Sequence, residues 1–171
     1  MNGRDEREIV EWGYWTAKFL FAMSGKIHSG MEPEKRVLGS FLRDHGWTEN
    51  ANFVLDNQAT ILMTAYVLLV YPRELIDGFD YGTLPGDLQQ GFAFTAPTVP
   101  PGNKTFIRKM RNAIAHANIE LTLGENAHFR LWNETRAGVV DFDVCIFKKD
   151  FVEFLARLGE FFVNYVRNQP A

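Results

Sequence analysis

Cysteine is nearly absent from this chain: Cys145 stands alone in 171 residues. A lone cysteine closes no intramolecular disulfide, and such usage suits a reducing cytosol. Its neighbours Val144 and Ile146 are apolar, so it reads as buried filler rather than a nucleophile. Long apolar runs are missing too. The longest, Ala59 to Tyr71, is too short to span a bilayer and suits an enclosed helix. Near the N-terminus Glu6, Glu8, Glu11 and Lys18 interrupt any apolar run, so no signal peptide is expected. The expected compartment is the cytoplasm, with no membrane contact. Neither sign of charge dominates: 18 Lys and Arg face 21 Asp and Glu, a net charge of −3, which argues against a long nucleic-acid groove.

Metal-ligand spacing is missing as well. His28, His45, His116 and His128 fall in separate segments with no HxH or HxxxH pair. Asp141 and Asp143 are two apart on an expected strand and read as a solvated face. No metal and no other cofactor is expected. No serine sits in a nucleophile elbow. The glycines of GTLPGD, residues 82–87, lack the Lys-Ser/Thr that a phosphate-binding loop needs. There is no internal repeat and no low-complexity segment.

What the chain has is apolar bulk. Apolar residues make up 46% of it, and fifteen phenylalanines lead the aromatics. That is enough for one globular domain over residues 1–171 with a sizeable core. Ile9, Trp12, Trp15/Thr16, Phe19 and Met23 recur at helical spacing and predict a first helix from Arg4 to about His28. Pro33 opens a second, shorter helix to His45, with Val37, Leu38, Phe41 and Leu42 inward. Asn50 or Asn52 can cap a third that runs to about Tyr71, before Pro72.

Residues 73–102 are rich in Pro and Gly and hold Phe79, Tyr81, Phe92 and Phe94. A short helix near Leu84 to Gln90 and an aromatic-anchored loop are expected there. The loop is either the wall of a substrate cleft or a cover for the core. After Ala117 the period switches to two. Glu120 to Leu123, Ala127 to Trp132 and Val139 to Val144 predict an antiparallel meander, with turns at 124–126 and 135–138. His128 and Arg130 share one face of it, as an extension of the cleft or as exposed sheet residues. A last helix runs from Lys148 or Asp150 to about Asn168.

The segment Lys104 to Ala117 carries the chemistry. At about 100° per residue, Phe106, Met110, Ala113, Ile114 and Ala117 form an apolar stripe, and Lys104, Arg108, Arg111, Asn112 and His116 lie opposite. Asn112 and His116 are four apart and can touch. Ala115 lies within the polar sector, where a small residue lets a second helix approach. Lys104, Arg108, Lys109 and Arg111 have no acid among them: a local basic patch for substrate, or ordinary snorkelling. An arginine that grips phosphate oxygens and a histidine that moves protons are what RNA cleavage without metal needs. A solvated helix face with a surface histidine would look the same.

The run Arg111-Asn112-Ala113-Ile114-Ala115-His116, RNxxAH, resembles the motif of the HEPN superfamily, helical proteins many of which are ribonucleases. The resemblance implies a mainly α protein: an antiparallel helical bundle with a small β meander between the motif helix and the C-terminal helix. It implies a metal-independent endoribonuclease that uses the RNA 2′-hydroxyl as nucleophile and leaves a 2′,3′-cyclic phosphate. Arg111, His116 and Asn112 would be catalytic, with Asn112 orienting His116. Arg108, Lys104 and Lys109 would bind substrate. It also implies a homodimer, because two facing motif helices supply two histidines. The implied setting is bacterial stress, plasmid or phage defence, including a toxin with an antitoxin protein as partner. The alternatives are a non-catalytic HEPN-like module that binds a nucleotide or protein through the same helix, and a plain helical interaction domain.

Overall fold

A computed structural model describes residues 13–23, 58–70, 84–95, 100, 102–122, 124 and 126–168, with the isolated positions 26, 33, 36, 40 and 44. The helices among them are α1 (residues 13–23), α2 (Gln58–Ala65, continued by a π-helical turn over Tyr66–Val70), α3 (Gly102–Ala115) and α4 (Lys148–Arg167). The strands are β1 (Phe92–Phe94), β2 (Ile119–Thr122), β3 (His128–Glu134) and β4 (Val140–Phe147). They form one antiparallel sheet in the order β1-β4-β3-β2. Pro33, Arg36, Ser40 and Asp44 are helical, at the positions expected of the second sequence helix. Its inward residues Val37, Leu38, Phe41 and Leu42 lie outside the described residues, as do Phe79, Tyr81 and the capping positions Asn50 and Asn52.

The expectation of a mainly α bundle is overturned: the protein is mixed α/β. The meander lies where period-two patterning put it, but it is no ornament on a bundle. Its inner face supplies Phe129, Leu131, Phe142, Val144 and Ile146 to the core, all 1% exposed or less. A fourth strand comes from the Pro/Gly-rich segment, where Phe92 pairs with Ile146 and Phe94 with Val144. With one face buried, alternate residues of β3 are core, and helices need to cover one side only.

Phe106 of α3 ties the two layers together. It is fully buried, and the rings of Phe92, Phe154, Phe142 and Phe94 lie edge-on to it at 4.9 to 6.1 Å, the arrangement aromatic quadrupoles prefer. Phe92 and Phe94 thus anchor their segment in the core and are not a cleft wall. No helix forms over Leu84 to Gln90. Successive turns replace it, closed by bonds such as Leu88 N–H to Pro85 C=O (3.1 Å), while Leu84 and Leu88 are buried.

The first helix also faces differently from its sequence stripe. Tyr14 and Ala17 are buried, whereas Trp15 is 41% and Phe19 62% exposed. Two glycines set this orientation by allowing close approach. A Cβ on Gly13 would lie 2.2 Å from Val67 Cγ1, and one on Gly159 would lie 2.4 Å from Tyr14 Cδ2. Trp15 is covered instead by cations, with Lys18 Nζ 5.1 Å and the Arg167 guanidinium 5.7 Å from its ring centre. Among the described residues no helix is long and apolar enough to cross a membrane.

Candidate active site

Helix α3 is amphipathic as its sequence requires. Phe106, Ile107, Met110, Ala113 and Ile114 are buried against the π turn of α2 and against β3. Lys104, Arg108, Ala115 and His116 are exposed, with Arg111 and Asn112 half-buried between. No Asp or Glu occurs from Gly102 to Ala115. Ala117, expected on the apolar stripe, is exposed and lies past the end of the helix.

The end is shaped by its cap. His116 N–H donates to the Asn112 carbonyl (3.0 Å), Ala117 N–H to Ile114 (3.1 Å) and Asn118 N–H to Ala113 (2.9 Å). These bonds make a Schellman closure, with Ala117 in the left-handed region that glycine usually fills. Its φ is 55°, and it is the one non-glycine with positive φ among the described residues. His116 is therefore the last half-helical residue. The chain reverses immediately after it and enters β2 at the sheet edge.

The structure joins two of the expected catalytic residues. Arg111 Nε and Nη2 both donate to Asn112 Oδ1, at 3.4 and 3.2 Å. The amide oxygen of Asn112 is thus engaged by Arg111 rather than His116. The His116 ring makes no hydrogen bond among the described residues. Arg108 makes no ion pair among them either.

Lys109, of the expected substrate-binding group, is placed apart from the exposed Lys104 and Arg108. It is half-buried and paired with Asp141 of β4, and its carbonyl accepts the Asn133 amide (2.6 Å). Asn133 is 6% exposed and sits at a bulge between β3 and β4. These contacts fasten the middle of α3 to the sheet.

The outer face of the sheet holds a second polar group that sequence reading left unassembled. Asp143 was expected on a solvated face. It is 7% exposed and receives Arg130 Nε at 3.0 Å and Nη2 at 2.8 Å, the bidentate fork that suits arginine to carboxylates. The Arg130 bond, more than any other contact, holds the Asp143 carboxyl below the usual carboxylate range. Arg130 also reaches Glu120 (3.4 Å) and lies 5.4 Å over the Trp132 ring. The signal was present in the strand register, since Glu120 faces Arg130 and Trp132 faces Asp143.

Cys145 pairs with Arg130 across the sheet and is half-buried, not enclosed. Burial pushes its thiol up, away from nucleophilic use. His128 is spent locally on Asn126 C=O (3.1 Å) and Thr122 Oγ1 (3.2 Å). Among the described residues no group of three His, Cys, Asp or Glu could hold a metal ion.

With this geometry established, comparison with known proteins gives one finding. Residues 31–169 match the family model described as HEPN pEK499 p136. No curated protein and no solved structure matches the chain.

Proposed function

The chain belongs to the HEPN family, and from that premise we propose that it is a metal-independent endoribonuclease acting as a homodimer. The observation that carries the reading is the acid-free polar face of α3, ending in an exposed His116 one turn beyond Arg111. Arg111 answers the charge of the scissile phosphate, and Asn112 Oδ1 holds its guanidinium in place. His116 takes the proton of the RNA 2′-hydroxyl, whose oxygen attacks phosphorus. The bond from phosphorus to the 5′-oxygen breaks, and the second protomer's His116 protonates the leaving oxygen. The products are a 2′,3′-cyclic phosphate and a 5′-hydroxyl end. Lys104 and Arg108 attract the flanking phosphates. The exposed Ala115 leaves room for the second protomer's helix.

One observation favours the binding-module alternative. Among the described residues the His116 ring has no orienting partner of the kind a general base usually has, although such bonds often tighten only with substrate. A ribonuclease assay in EDTA, on single-stranded and structured RNA, decides between the two. Cleavage with cyclic phosphate ends, lost in His116→Ala, supports the enzyme. No cleavage by pure protein supports the module. Cleavage only with added Mg²⁺, or 5′-phosphate ends, contradicts the chemistry. A strictly monomeric species by light scattering at about tens of micromolar would contradict the dimer, because a standard-size interface persists there.

The same proposal extends to a defence setting in the cytoplasm, with the protein as a toxin held by an antitoxin protein. Its support is the family alone. Induction in a bacterial host would then arrest growth, and induction of His116→Ala would not.

A further inference from the structure

The outer sheet face begins where the motif helix ends. Asn118, two residues after His116, accepts the backbone N–H of Trp132 at 3.2 Å. Two residues of chain span at most about 7 Å, so the backbone of Trp132 lies close to the end of the motif helix although it is sixteen positions from the histidine in sequence. Asn118 and Trp132 continue the register in which Ile119 pairs with Leu131. They are therefore cross-strand neighbours on one face, with side chains in reach of each other.

Three features of this patch fit a nucleobase and not a phosphate. The Trp132 ring is only half-buried, and its sole ring contact among the described residues is Arg130. That arginine is answered by two carboxylates, Asp143 and Glu120. The trio carries one positive and two negative charges, so it repels a phosphate while leaving a stacking surface. Hydrogen-bonding capacity is also left over. The Asn118 amide makes no hydrogen bond among the described residues, and the Glu120 side chain is 62% exposed.

We propose that Trp132, Arg130, Asn118 and Glu120 form a purine-binding subsite for the nucleotide next to the scissile phosphate. The position of that phosphate rests on the ribonuclease reading above; the base site itself does not. A purine presents the larger stacking area. Its edge matches the amide as adenine does an asparagine, and guanine N–H groups match a carboxylate. The helix face then holds the backbone while the sheet face chooses the base.

Binding is measured on His116→Ala protein, so that cleavage does not interfere, with fluorescently labelled oligo(A) and oligo(U) hexamers. Oligo(A) should bind more tightly. Adding Trp132→Ala should weaken oligo(A) binding roughly 5- to 150-fold, the range of base–aromatic stacking. Trp132→Phe should restore most of it, and Asn118→Ala should narrow the difference between the two oligomers. Far-UV circular dichroism checks each fold; if Trp132→Ala fails to fold, Trp132→Phe and Asn118→Ala still decide. The proposal is overturned if the parent shows no purine preference, if folded Trp132→Ala binds as the parent does, or if no hexamer binds. Should Trp132-dependent purine binding appear while wild-type protein cleaves nothing, the subsite stands and the ribonuclease reading falls.

Discussion

Arg111 and Arg130 are the same residue type, nineteen positions apart, and the fold treats them in opposite ways. Arg111 lies on a helix without a single acid and leans on the neutral oxygen of Asn112. Arg130 lies on a strand, where period two sets Glu120 across from it and Asp143 on the diagonal. A cation serves substrate or structure according to what the backbone puts next to it. On the helix, Lys109 is drawn off to Asp141 of β4. On the sheet face Arg130 answers the buried Asp143, which would otherwise lack a partner.

The strongest test of this contrast is the same conservative change at both arginines. Arg111→Lys should cut RNA cleavage by about 10²–10³-fold, as expected when a positioned charge-stabilising fork is lost. Its thermal midpoint should barely move. Arg130→Lys should cost more stability, and should cost cleavage less than Arg111→Lys does. If Arg130→Lys is the more damaging to cleavage per unit of stability lost, the division of labour proposed here is wrong.

Phe106→Ala probes what the two faces share. Phe106 is fully buried beneath both, so its loss should cost about 3–5 kcal/mol in denaturant unfolding and weaken both faces together. A loss under about 1 kcal/mol would mean that helix and sheet do not share one core.

The Arg130–Asp143 pair comes next. Arg130→Ala strands a mostly buried carboxylate, but Arg130 itself is 44% exposed, so solvent screens part of the interaction. About 1–3 kcal/mol is expected. The pair also has a pH signature. Asp143 is held below its ordinary value in the folded state, so its contribution is full above the unfolded value, about 3.9. It is lost as pH falls through the lower, folded value. Wild type should therefore lose stability more steeply than Asp143→Asn below about pH 4, as followed by circular dichroism. Parallel acid transitions would show that the pair adds nothing.

The smallest effect expected is a gain. Ala117→Gly relieves a left-handed φ and should stabilise the protein by about 0.5–1 kcal/mol. If cleavage falls in that variant, the strained joint helps to aim His116.

Much of the candidate helix could be read from sequence, because its information is local. The stripe of Phe106, Met110, Ala113 and Ile114 faces the core as the period requires. Strand positions in the meander were readable for the same reason. What the sequence could not reveal is pairing across distance. Phe92 and Phe94 sit among prolines and glycines, and only the free edge of β4 makes them a strand. That addition turned an expected bundle into a mixed fold. Lys109 looked like one more basic residue of the helix until Asp141, thirty-two positions away, claimed it. In α1, the packing face was set by what two glycines let past, Gly13 for Val67 and Gly159 for Tyr14, and no stripe of large residues records that.

The π-helical turn over Tyr66–Val70 has a consequence for chain length. A π turn holds one residue more than an ordinary helical turn, and each residue carries about 100° of rotation. Ile61 and Ala65 before this turn and Leu68 and Leu69 within it are all at 1% exposure or less. Deleting a single residue here would give a more regular helix and rotate everything upstream out of phase with α3 and α4. In this segment, alignments should forgive a changed letter more readily than a missing one.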